Sequence, residues 1–132
     1  MKLLTRNTDY AVRAICYMAR HDQEIVAVPS LVKALKIPRP FLRKILQILG
    51  KEGIVRSRKG PGGGFALAVP VGKIYLAGLI RIFQGPIRVN ECIFKKKICP
   101  DVRTCPLRTK IDAIERHVEA QLKAITIGDL LK

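Results

Sequence analysis

Hydrophobic residues recur along this chain at helical spacing in some stretches and at strand spacing in others. From about Thr8 to Arg20, Ala11, Ile15 and Met18 recur with the helical period, with Val12 and Ala19 beside them. Asn7 or Thr8 is placed to cap this helix, and Asp9 in the first turn suits the positive end of its dipole. Cys16 falls within the same pattern as a small core residue. A polar turn, His21-Asp22-Gln23-Glu24, follows, and Val28-Pro29-Ser30 opens a short helix through about Leu35. After the break Lys36-Ile37-Pro38, a third helix is predicted from about Arg39 to Glu52, with Leu42, Ile45, Leu46 and Leu49 as its apolar stripe. Pro40 fits the first turn, where its missing N–H costs nothing.

Two extended segments come next, Ile54–Arg58 and Phe65–Val69, separated by Gly60-Pro61-Gly62-Gly63-Gly64. That pattern predicts a two-stranded hairpin. A fourth helix runs from about Tyr75 to Phe83 and ends at Gln84-Gly85-Pro86. The last long helix spans about 106–123, with Leu107, Ile111, Ile114, Val118 and Leu122 spaced close to a heptad seam. Such a stripe pairs with a second copy or packs on its own domain. Pairing is the favoured reading.

Two helices joined by a short turn, the second carrying a basic row, make a helix-turn-helix, and the hairpin after it makes a winged helix. The expected fold class is therefore mainly α with a small β-hairpin. A winged helix-turn-helix region spans 1–72, with the wing at about 54–69, and a sensor and dimerisation region spans 73–132. On the third helix, Arg39 and Arg43 are candidates to pair with guanine and Gln47 with adenine, while Lys44 suits phosphate. Ser30, at the start of the preceding helix, joins these DNA-contact candidates. In the wing, Arg56, Arg58 and Lys59 suit phosphate or minor-groove contact, and Gly62, Gly63 and Gly64 allow close backbone approach. A nucleotide-binding loop is excluded there, since no Gly-Lys-Ser/Thr follows and no GxGxxG register fits.

Charge strengthens this picture. The 132 residues carry a formal net charge of +15, and residues 1–90 hold 16 Lys/Arg against 4 Asp/Glu. So lopsided an excess favours a polyanion, DNA or RNA, and with the winged helix double-stranded DNA is the expected partner. With 48% hydrophobic residues the chain can build a core. No run approaches a membrane span and the start turns polar too soon for a signal peptide, so a cytoplasmic protein is expected. No catalytic constellation is visible, neither a Ser/His/Asp set nor paired acids, so an enzyme is not expected.

Cys92, Cys99 and Cys105 fall within fourteen residues, in a loop over about 90–105. Clustered cysteines in a reducing compartment point to metal or redox chemistry. Zinc commonly uses paired C-x2–4-C knuckles, absent here. A thiol–disulfide switch needs two of the three. An iron–sulphur cluster accepts irregular spacing and often has proline after a ligand, as in Cys99-Pro100 and Cys105-Pro106. Lys95, Lys96 and Lys97 favour thiolates and offset a cluster's negative charge. The cluster is the preferred reading, with zinc and a bare thiol switch still open.

Thr8-Asp9-Tyr10-Ala11-Val12-Arg13-Ala14, the wing segment Val55–Phe65, the three cysteines and the segment Ile125–Leu131 together resemble the Rrf-two family of bacterial winged-helix regulators. The resemblance covers nearly the whole chain. It implies a homodimer, acting as a repressor, that binds a palindromic operator with an affinity set by a 4Fe-4S or 2Fe-2S cluster. Gain or loss of the cluster would shift the angle between the two reading heads. By position, Cys92, Cys99 and Cys105 would be ligands. The cluster-biogenesis branch carries His three residues after the last cysteine, where this chain has Arg108, which cannot ligate iron. The nitric-oxide-sensing branch uses an acid on the first helix of the partner subunit, and Asp9 matches that position. An acid there also serves the helix dipole. Glu91 or an exogenous ligand is the alternative to Asp9. Cluster-free thiol regulation, a zinc-stabilised DNA-binding protein and a non-specific nucleic-acid coat are the alternatives.

Overall fold

The computed structural model describes residues 3–21, 25–88 and 106–131. The cysteine loop, with Cys92, Cys99 and Cys105, therefore lies outside the described residues. The elements are α1 (Arg6–Arg20), α2 (Val28–Leu35), α3 (Arg39–Lys51), β1 (Val55–Arg58), β2 (Gly64–Leu67), a 3-10 turn (Val71–Lys73), α4 (Leu76–Gln84), α5 (Pro106–Ala124) and α6 (Ile127–Leu130). The fold is mostly helical with a two-stranded antiparallel hairpin, as the periodicity predicts. Among the described residues no helix is long and apolar enough to cross a membrane.

The start of α1 differs from expectation. The helix begins two residues earlier than the apolar pattern does, and Thr5 is the cap, its side chain accepting from the Thr8 N–H. Thr8 does not cap; it is buried, and its hydroxyl donates to Gln84 Oε1 at 2.6 Å. The same oxygen accepts the Thr5 N–H at 2.9 Å, and Gln84 Nε2 donates to the Leu3 carbonyl at 3.2 Å. One carboxamide at the end of α4 thus ties down the start of α1. Gln84→Ala would take away the 2.6 Å acceptor of the buried Thr8 hydroxyl and leave it only the 3.2 Å contact with the Thr5 hydroxyl, a loss of about 1–3 kcal/mol. Chemical denaturation should report a loss in that range, and an unchanged midpoint would show the clamp to be energetically idle.

The first core joins Ala11, Ala14, Ile15 and Met18 of α1 to Leu31, Ile37, Leu42, Ile45, Leu46 and Leu49. Cys16 sits at its edge, half-buried rather than fully within it. The boundary expected at residue 72 falls in the 3-10 turn, yet Ile74, Leu79 and Ile127 also enter this core. The short helix α6 goes unpredicted because four residues carry no periodicity. It is held by a capping box in which Thr126 and Asp129 each bond the other's backbone N–H. A second, smaller core packs Leu76 and Ile80 of α4 against Leu122 of α5, with Val12 and Val118 beside them.

The hairpin pairs Val55 with Leu67 through Arg58 with Gly64. It also has an anchor that the sequence does not announce. Val26, just before α2, bridges to Phe65 through two backbone bonds of 2.8 and 2.9 Å. The wing is thereby hydrogen-bonded to the entrance of the helix-turn-helix.

Candidate nucleic-acid interface

The turn between α2 and α3 is short because Lys36 takes a left-handed conformation (φ 55°, ψ 36°) and Ile37 drops into the core. Pro38 then starts α3. Burial of Leu42, Ile45, Leu46 and Leu49 leaves Arg39, Arg43, Lys44 and Gln47 exposed on the remaining surface of the helix. None of these four has an ion-pair or hydrogen-bond partner among the described residues. Ser30 is exposed in the first turn of α2. In β1 only Val55 faces inward, so Arg56 and Arg58 stay at the surface with Lys59 beside them.

The glycines of the wing divide by role. A Cβ on Gly63 would lie 2.2 Å from the Arg58 carbonyl oxygen, and one on Gly64 would lie 2.2 Å from the Val26 carbonyl oxygen. These two are small because the wing folds back on its own backbone and on its anchor. Gly62, with φ +73° and open space around it, serves the turn itself.

Charge pairing separates the two ends of the molecule. Asp112, Glu115 and Glu119 all lie on α5, and they pair with Arg108 (3.8 Å), Arg88 (3.5 Å), Arg81 (4.0 Å) and Lys123 (3.3 Å). Between residues 25 and 75, ten Lys/Arg stand against a single acid, Glu52. The positive field is therefore concentrated on the α2–α3–wing side, where a polyanion would meet little competing negative charge.

Among the described residues no three of His, Cys, Asp and Glu come together as a metal site. Asp9 is 43% exposed in the first turn of α1, with Oδ2 3.0 Å from Arg13 Nε. Burial pushes the Cys16 thiol up, against a smaller opposing effect of Arg20, so it holds little thiolate at neutral pH and is a poor ligand. His21 stacks on Tyr17 with ring centroids 3.9 Å apart and caps the end of α1. His117 is exposed on α5.

Of the expected dimerisation stripe, Leu107 is 68% and Ile114 is 53% exposed, and Ile111 is half-buried. Val118 and Leu122 are instead taken up by the second core, Leu122 being 6% exposed. Only the first half of α5 keeps an open apolar face.

Helix-turn-helix, anchored wing and a one-sided cationic surface define a winged-helix protein of the DNA-binding kind. Residues 4–132 match the model of the Rrf2 family, described as an iron-dependent transcriptional regulator. The chain belongs to this family, whose members are transcriptional regulators and not enzymes. It is 34% identical over 124 residues to an Aquifex aeolicus protein described as an HTH-type transcriptional regulator, covering 92% of this chain and 86% of that one. It is 29% identical over 131 residues to the regulator NsrR of Oceanobacillus iheyensis, covering 98% and 89%. Its fold is that of CymR, the global cysteine regulator of B. subtilis, with a TM-score of 0.81 and 22% identity, covering 99% of this chain and 97% of that one.

Proposed function

We propose that this protein is a cytoplasmic homodimeric repressor that binds a palindromic operator under control of an iron–sulphur cluster. Residues 1–72 would read DNA and residues 73–132 would sense and dimerise. The observation that carries DNA binding is the concentration of Arg39, Arg43, Lys44, Arg58 and Lys59, without internal partners among the described residues, on one helix-turn-helix and its wing. Arg39, Arg43 and Gln47 would meet base edges. Ser30, Lys44, Arg56, Arg58 and Lys59 would hold phosphate or the minor groove.

The cysteines of one chain supply three donors, and the fourth would come from the partner subunit. Cys92, Cys99 and Cys105 supply three thiolates, and Lys95, Lys96 and Lys97 offset the negative charge. Arg108 cannot be the fourth ligand and already faces Asp112. Asp9 of the partner subunit is the candidate. Its pair with Arg13 is exposed, so it is worth about 0.2–1 kcal/mol and can be exchanged. A cluster bound there supplies a centre sensitive to oxidation and nitrosylation, of 4Fe-4S or 2Fe-2S type. Asp9 leaving Arg13 would alter the first turn of α1, which packs on α3 through the first core.

A cluster-free thiol regulator is the second reading, favoured by the closed Asp9–Arg13 pair. Anaerobic purification with a visible spectrum and counts of iron and acid-labile sulphide separates the two. Asp9→Ala is expected to shorten the lifetime of the cluster in air, while Cys16→Ala leaves it unchanged. A colourless, iron-free protein that still binds its own promoter would exclude the cluster.

A further inference from the structure

One exposed aromatic stands among the cations of the reading side. Phe41, the third residue of α3, is 50% exposed, and it is the only large apolar side chain exposed between residues 25 and 74. One turn on, Ile45 is buried, and three residues on, Lys44 is exposed. The ring therefore emerges at the border between the core stripe and the outward face. Pro38 at the N-cap and Pro40 in the first turn, both just before it in the chain, fix φ there, so the ring projects from a stiff helix start.

The first residues of a reading helix are the ones that reach base edges. Lys44, three residues on, shares the flank of Phe41, while Arg39 and Arg43 lie across the outward face, and all three attract phosphate and draw this turn toward the duplex. A phenyl ring has no hydrogen bond to offer a base. The apolar feature on a base edge in the major groove is the thymine C5-methyl group. We infer that Phe41 selects a thymine in each operator half-site by burying that methyl against its ring. The assignment rests on operator binding as proposed above.

The probe is a duplex selected from a random library by the native protein, with each thymine replaced in turn by deoxyuridine, which removes the methyl alone. At one position per half-site the native protein should lose about fourfold in affinity, and about fifteenfold when both half-sites are changed. At that position Phe41→Ala should bind thymine and uracil duplexes equally, and Phe41→Leu should keep part of the difference. Both variants should match the native protein on unselected duplex at low salt, where the cations alone grip phosphate. An equal methyl effect in Phe41→Ala, or indifference of the native protein to uracil at every position, overturns the inference and leaves operator binding intact. Failure of the native protein to enrich any duplex overturns operator binding and this assignment with it.

Discussion

Gly64→Ala should release the wing from its anchor and destabilise the whole fold. The new Cβ would sit 2.2 Å from the Val26 carbonyl oxygen, 2.7 Å from its carbon and 2.9 Å from the Ala27 Cα. All three are backbone atoms, so no side-chain rotation relieves the clash. Either the hairpin or the segment before α2 must move, and the two bonds joining Val26 to Phe65 are lost. Two backbone hydrogen bonds at roughly 1 kcal/mol each, with an overpacking cost of about 1–3 kcal/mol, give a loss of about 3–5 kcal/mol. For a chain of this length the melting temperature should fall by about 10–18 °C. Gly78→Ala is the control: it lies in α4 with nothing within 4 Å of its added Cβ, and should gain about 0.5–1 kcal/mol from helix propensity. A Gly64→Ala protein melting within a degree or two of the parent would mean that the wing is not anchored through Val26.

If the protein is the homodimer proposed above, the double variant Leu107→Glu/Ile114→Glu should be a folded monomer with operator affinity reduced by about 100-fold or more, since the second half-site is no longer tethered to the first. These two side chains are the exposed apolar positions of α5, and neither belongs to the core clusters. Leu122→Ala should act differently. Its side chain is packed between Leu76 and Ile80, so truncation should cost about 2–5 kcal/mol of stability and leave the association state of the surviving folded protein unchanged. Sedimentation velocity with a parallel melt separates the outcomes. Should Leu122→Ala dissociate the dimer while the double variant does not, the two halves of the stripe would have been assigned the wrong way round.

Much of the architecture is legible in the residue order because local rules govern it. Leu42, Ile45, Leu46 and Leu49 define the buried face of α3 by spacing, and their burial leaves Arg39, Arg43, Lys44 and Gln47 outward by the same geometry. The wing follows from two short extended runs around a glycine-rich turn. Long-range partners were not legible. Nothing about Gln84 marks it as the residue that meets Thr5 and Thr8, nearly eighty positions earlier, and so the cap of α1 is displaced from its expected place. Val26 sits in a stretch too short to read as a strand, yet its pairing with Phe65 sets where the wing stands.

The residue order alone determined the helix-turn-helix, the hairpin, the basic reading side and the presence of three clustered cysteines, because period, turn chemistry and charge are properties of neighbours along the chain. Only the tertiary structure decided which apolar residues remain free. The five positions of the α5 stripe are equivalent as a pattern, but α4 covers Val118 and Leu122 and leaves Leu107 and Ile114 open. It also decided that Gly63 answers to the wing's own backbone and Gly64 to the Val26 anchor, and that Asp9 already has a partner in Arg13. A sequence pattern specifies which face is apolar or charged. What that face meets depends on elements distant in the chain, and packing alone brings them together.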